Sequence, residues 1–172
     1  MTPAEQAQVS VRVAHGEGAT VSTGLTVLDH LVGELARTAH LHLALEVAPG
    51  AVDQAVPAVG RGVGEGIAPL LRAPGALGFG SAWLPAGEAL AGAVIEASDR
   101  PLLASNVDFS GVGGLRSDIV AVFLDELATG AGLNVHIRVL EGKDPQNVLS
   151  AIFKALGAAI GQACRTPEGG TT

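Results

Sequence analysis

Tyrosine is absent from the 172 residues, and the remaining aromatics are four phenylalanines and one tryptophan. That scarcity leaves little from which to build stacking platforms for single-stranded nucleic acid. Charge is scarce as well: 16% of residues are charged, against about 25% in ordinary globular domains. The formal balance of −7 disfavours a phosphate-backbone partner. The single cysteine, Cys164, excludes an intramolecular disulfide framework and suits a reducing compartment. With no base beside it in sequence, it reads as a structural thiol. The opening "MTPAEQAQ" has no basic segment followed by an apolar core, so no signal peptide is read. No apolar run of about 18 residues escapes interruption by Gly, Pro or charge, so no membrane span is read. The expectation is a cytoplasmic globular chain with neither nucleic acid nor membrane as partner.

What is present is apolar. Hydrophobic residues make up 48% of the chain, and in a chain of this size oligomerisation is a natural way to bury such an excess. A strand is expected around Val9 to Val13, followed by the turn-rich "AHGEGAT". A helix follows from about Val27 to Ala39, with Leu28, Leu31, Val32 and Leu35 on one face. "HLHLALEV" alternates with a period of two and reads as a half-buried strand over 40–47. A second helix is expected from about Asp53 to Leu71. "RAPGALGFGSAWLP" reads as a connection or an irregular strand pair, and strands are expected at 91–97 and 102–109.

The second half repeats the first. "GELARTAHLHLALEV" aligns with "DELATGAGLNVHIRV", setting Glu34-Leu35-Ala36 over Glu126-Leu127-Ala128. After a one-residue shift in the turn, "VGRGVGEGI" lies over "IFKALGAAI". Each half therefore reads strand, helix, strand, turn, helix. The implied fold is α+β, one domain of two pseudo-repeated halves at about 1–85 and 86–172, with sheets backed by helices.

Candidate chemistry centres on His30 in the first helix, with Glu34 one turn later on the same face. Asp29 points elsewhere, so the adjacent Asp-His pair is no dyad. "HGEG" and "GRGVGEG" look like phosphate-cradling loops. The first lacks a strand-loop-helix context and the second lies within a helix pattern, so both read as turn or packing glycines. His40 and His42 are expected on one face of a strand, which suits a solvated sheet surface better than a chelate.

"STGLTVLDHLVGELART" (22–38) resembles the signature near the start of imidazoleglycerol-phosphate dehydratases, the histidine-biosynthesis enzymes. The resemblance continues through "LPAGEAL", "SDRP", "GLNVHIRVLEGK" and "SAIFKALGAAI", in order and over most of the chain. It implies the ribosomal protein S5 domain 2-like fold and a manganese-dependent loss of water from a phosphorylated imidazole triol. It also implies trimers that build a 24-subunit shell with metal ligands contributed across contacts. The family's sites come from two HHxxE motifs, one on each half's second helix, with further histidines on the first helices. In that spacing the second His and the Glu share a helical face and converge on one metal.

Here the resemblance breaks. In "DQAVPA", Asp53 and Gln54 replace the two histidines and Pro57 the glutamate. In "QNVLSA", Gln146 and Asn147 replace histidines and Ser150 the glutamate. Val122 stands where a further histidine is expected, and His136 sits in the family's "HIR" without a ligand role. Only His30 remains of the implied metal ligands. Asp53 can coordinate a hard cation weakly, but amides and a hydroxyl are poor substitutes for imidazole toward a transition metal. No cofactor is therefore expected, with manganese the cofactor if family activity is retained. On the phosphate side, Arg100 and Lys154 match cations that hold the substrate phosphate. A further arginine is replaced by Gly111, the Ser/Lys-rich tail has no counterpart in "TPEGGTT", and Glu5 matches an acidic residue only across a gap.

Three readings follow. The first is a non-catalytic homologue with its metal site dismantled, forming a homo-oligomer that stops at the trimer. The second is a working dehydratase or related lyase with compensating ligands. The third is a binder of a small phosphorylated ligand on the same scaffold.

Overall fold

A computed structural model describes residues 9–49, 52–109 and 117–166. Glu5, Gly111 and the C-terminal tail lie outside the described residues, as does the side chain of Asp53. The first half contributes β1 (Val9–His15), β2 (Ala19–Ser22), α1 (Thr26–Ala39), β3 (Leu41–Val47) and α2 (Val52–Leu71). Next come β4 (Phe79–Ala86), β5 (Ala89–Ala97), β6 (Leu102–Ser105), α3 (Ser117–Ala131), β7 (Leu133–Glu141) and α4 (Pro145–Cys164).

The duplication is visible in the strand order. The first sheet runs β1-β3-β2, with β1 antiparallel and β2 parallel to β3. The second contains the same unit as β5-β7-β6, again with one antiparallel and one parallel pairing, and adds β4 at the β5 edge. The matched halves even end their first helices alike. His40 and Gly132 occupy aligned positions and both turn left-handed, with φ of 54° and 69°. Alternation places His40 in a strand; instead it is the C-cap of α1, and only His42 lies in β3.

Two local expectations are corrected. The turn-rich segment after β1 contains a real strand, β2, too short and too close to glycines to register as alternation. The segment read as irregular contains β4, a regular eight-residue edge strand. Pro85 is tolerated there because an edge strand has one unpaired side.

The four helices lie between the sheets, and the pairing crosses the halves. α1 packs on α4 and α2 packs on α3, while α2 also covers β1 and α4 covers β4 and β5. The glycines of "GRGVGEG" set the spacing: Gly60 and Gly64 face the α3 backbone, whereas Gly62 and Gly66 face Val11 and Val13 of β1. They are packing residues on two sides of one helix. By length and composition α4 also passes as a membrane-crossing helix. Here its Leu149, Ile152, Phe153, Leu156 and Ile160 are buried in the core.

Candidate functional site

The start of α1 is held by a local knot. The Thr23 backbone N–H donates to Asp29 Oδ1 at 2.9 Å, the Thr23 hydroxyl donates to the same oxygen, and Leu25 N–H donates back to Thr23 Oγ1. Thr23 is buried, so Asp29 is spent on fixing the helix entry. The next residue, His30, lies about 100° further round the helix and is exposed. Glu34 pairs with Arg37 at 2.9 Å.

Because α1 packs on α4, His30 meets the second half. A pocket of about 400 Å³ is lined by Thr26, Val27, His30 and Leu31 from α1 and by Gln146, Asn147, Leu149 and Ser150 from α4. Three of the positions at which the resemblance sets metal ligands, Gln146, Asn147 and Ser150, thus share one pocket with His30. In the first half, Pro57 sits exposed inside α2 and has no ligand atom to offer. Val122 is half-buried on α3.

Glu88, in the turn between β4 and β5, escaped the sequence reading. Its carboxylate accepts the backbone N–H groups of Asp144 at 2.8 Å and Lys143 at 3.3 Å, just ahead of α4. Asn147 hydrogen-bonds to it through its side chain. Gly87 beside it has φ 54°, and a Cβ there would collide with Asn147 Nδ2. The amide of Asp144 foremost, with those of Lys143 and Asn147, holds the Glu88 carboxyl below the usual carboxylate range. A depressed pKa contributes stability above the unfolded value, about 4.3 for Glu, and that contribution is lost as pH falls through the lower folded value. Denaturation midpoints of wild type and Glu88→Gln should therefore differ at neutral pH and converge in acid below the ordinary carboxylate pKa. A gap that persists unchanged into strong acid would contradict this.

The two expected phosphate cations are not brought together. Lys154 Nζ donates to the Pro85 carbonyl at 2.7 Å, at the turn end of β4. Arg100 is exposed in the turn after β5, its backbone N–H held by Ser98 Oγ at 3.0 Å. Pro85 pairs with Leu90 near the start of β5, and β5 ends at Ala97. Along β5 the Lys154 contact and the turn carrying Arg100 are separated by the residues from Leu90 to Ala97, roughly 24 Å of strand at about 3.4 Å per residue.

Other candidates are accounted for. Cys164 is buried and its thiol is pushed up to about 11 by burial, so it stays protonated and unreactive. His42 Nδ1 lies 3.2 Å from the Glu17 carbonyl and His40 Nδ1 lies 3.9 Å from Glu17 Oε1, on exposed surface. His136 is exposed on β7.

Residues 23–160 match the sequence pattern of imidazoleglycerol-phosphate dehydratase. The chain belongs to the imidazoleglycerol-phosphate dehydratase family. It is 34% identical over 162 residues to the dehydratase of Clostridium botulinum (strain Kyoto / Type A2), covering 90% of this chain and 82% of that one. It is 36% identical over 171 residues to that of Anaeromyxobacter dehalogenans, covering 94% and 80%. The crystal structure of the dehydratase from Staphylococcus aureus superposes with a TM-score of 0.82 at 26% identity, covering 91% and 93%. An IGPD structure from Pyrococcus furiosus gives 0.83 at 23% identity, a likeness of fold.

Members of the dehydratase family are generally manganese-dependent. The donors in the α1–α4 pocket do not fit that metal. They are one imidazole, two amides and two hydroxyls, with no carboxylate. Among the described residues no group of three or more His, Cys, Asp or Glu is arranged to hold an ion.

Proposed function

We propose that this chain is a non-catalytic homologue of the dehydratases, without manganese, that binds a small phosphorylated ligand as a homo-oligomer in the cytoplasm. The observation that carries the reading is the α1–α4 pocket, where His30 faces Gln146, Asn147 and Ser150. Losing three of four donors at one pocket removes the electrophile that such a reaction needs to stabilise the negative charge left on the substrate as a proton departs. The similarity to dehydratases over 90% or more of the chain favours a second reading, a working lyase with compensating ligands.

Manganese titration and a dehydration assay on one sample separate the two. The expected result is no stoichiometric manganese and no product from imidazoleglycerol phosphate. One manganese or more per chain, together with turnover, establishes the working lyase instead.

The phosphate cations support an oligomeric site. Roughly 24 Å of strand separates the Lys154 contact from the turn that carries Arg100, so Lys154 and Arg100 would act on one ligand with different copies supplying them. A surface suited to such association is the face of the second sheet turned away from α4. Phe79, Trp83, Val94 and Leu102 are each at least half exposed there. We expect light scattering to give a trimer that does not enlarge with manganese, and Val94→Glu to shift it to monomer. A 24-subunit particle in metal-free buffer contradicts this.

A further inference from the structure

The turn between β4 and β5 bears on the pocket in a way that the family motifs do not describe. A carboxylate only accepts hydrogen bonds. With Glu88 facing Asn147, the Asn147 amide must present Nδ2 to the turn. Steric contact agrees, since Nδ2 is the Asn147 atom closest to where a Gly87 side chain would stand. Asn147 also lines the α1–α4 pocket, and with one N–H of its amide directed to Glu88, Oδ1 lies on the other side of the amide and can accept there.

We infer that Glu88 is a positioning residue: through Asn147 it sets an amide oxygen toward the α1–α4 pocket as an acceptor for a hydroxyl or N–H group of a small ligand. The inference deepens the metal-free reading above and rests on it for the ligand class. An anionic group entering the pocket would find neither Lys nor Arg among the lining residues, which makes its desolvation costly. A hydroxyl or N–H donor instead finds Asn147 Oδ1 and Ser150 Oγ over a floor of Val27, Leu31 and Leu149. Glu88 also stands where an outer-shell carboxylate would stand if residue 147 were a metal-binding imidazole, holding one ring N–H so that the other nitrogen faces the pocket.

Glu88→Gln tests the role because it keeps the cap and reverses the selection. The Gln oxygen still accepts from Asp144 N–H, while its amide nitrogen would turn Asn147 around, bringing Oδ1 to the turn and Nδ2 to the pocket. In ¹⁵N-labelled full-length protein the Asn147 side-chain NH₂ signals are assigned by their loss in Asn147→Asp. We expect Glu88→Gln to shift these signals and to speed their exchange with water at least tenfold, with Asp144 N–H still protected. Unchanged Asn147 signals in Glu88→Gln overturn the inference and leave Glu88 a helix cap only.

A second arm uses zinc alone as the probe. Asn147→His with Ser150→Glu should create a site dependent on His30, and adding Glu88→Gln should weaken its zinc affinity about 10- to 100-fold. Equal affinity with and without Glu88 again overturns the inference. Should that double variant fail to fold, the amide signals decide by themselves. Stoichiometric zinc on the wild type, abolished by His30→Ala, would instead defeat the metal-free reading, while the amide signals still decide the role of Glu88.

Discussion

Replacing Gly157 with valine is expected to destabilise the chain by about 4 kcal/mol or more, a large part of the roughly 5–15 kcal/mol that a domain has. Gly157 lies where α4 crosses α1, and a Cβ there would collide with the Leu35 carbonyl oxygen and Thr38 Oγ1. Neither obstacle is the free end of a flexible side chain. The carbonyl belongs to the α1 backbone, and the Thr38 hydroxyl is engaged with the Lys154 carbonyl at 2.8 Å. One turn on, Gly161 abuts Ala39 in the same manner, so the helices cannot yield locally. Relief requires moving them apart, which unpacks Phe153, Leu156 and Ile160. Overpacking usually costs about 1–3 kcal/mol, and a backbone obstacle raises that. Helix propensity works the other way, since Gly is about 1 kcal/mol worse than Ala in a helix interior. The clash outweighs it.

Gly33 provides the opposite case on the neighbouring helix. A Cβ there meets nothing within 4 Å, so Gly33→Ala should stabilise by about 0.4–1 kcal/mol. Urea denaturation of both variants checks the argument through their opposite signs. A Gly157→Val protein as stable as wild type would mean that the α1–α4 crossing is looser than described.

The second large effect concerns Phe123 on α3 and Phe153 on α4, both fully buried, with ring centroids 5.8 Å apart and planes 28° from parallel. They join the α2–α3 pair to the α1–α4 pair, so the contact spans the two crossed helix layers. Each Phe→Ala change should cost about 3–5 kcal/mol through lost burial and the cavity left behind. The double variant should cost less than the sum of the two, by about 0.5–1.5 kcal/mol for the ring pair. A thermodynamic cycle from denaturant unfolding measures it. Strict additivity would show that the rings contribute only as separate apolar volume.

Most of the fold was legible because its signals are local. α1 and α2 announce themselves through apolar periodicity, and β3 through strict alternation of Leu41, Leu43 and Leu45 with polar or small neighbours. The two elements misread, β2 and β4, are edge strands whose identity comes from their partners. β2 exists because β3 offers it a parallel ladder, and nothing in "ATVS" says so. The His40 misreading has a related cause. Its alternation with His42 is genuine in sequence, but the α1 C-cap takes the first of the pair into a left-handed turn.

For the site, the residue types alone set the expectation that the family's metal chemistry is lost. Gln54, Pro57, Gln146, Asn147 and Ser150 carry that information in their donor atoms, whatever the chain does in space. The duplication and the apolar excess were equally plain. Which residues meet was decided by tertiary structure alone. His30 faces α4 of the other half, Glu88 reaches the α4 start from a strand turn, and Lys154 and Arg100 end up at opposite ends of one sheet. Side-chain chemistry belongs to each residue by itself. Proximity between distant residues depends on how glycine-lined helices cross and in which order strands pair, and those contacts are settled only when the whole core packs.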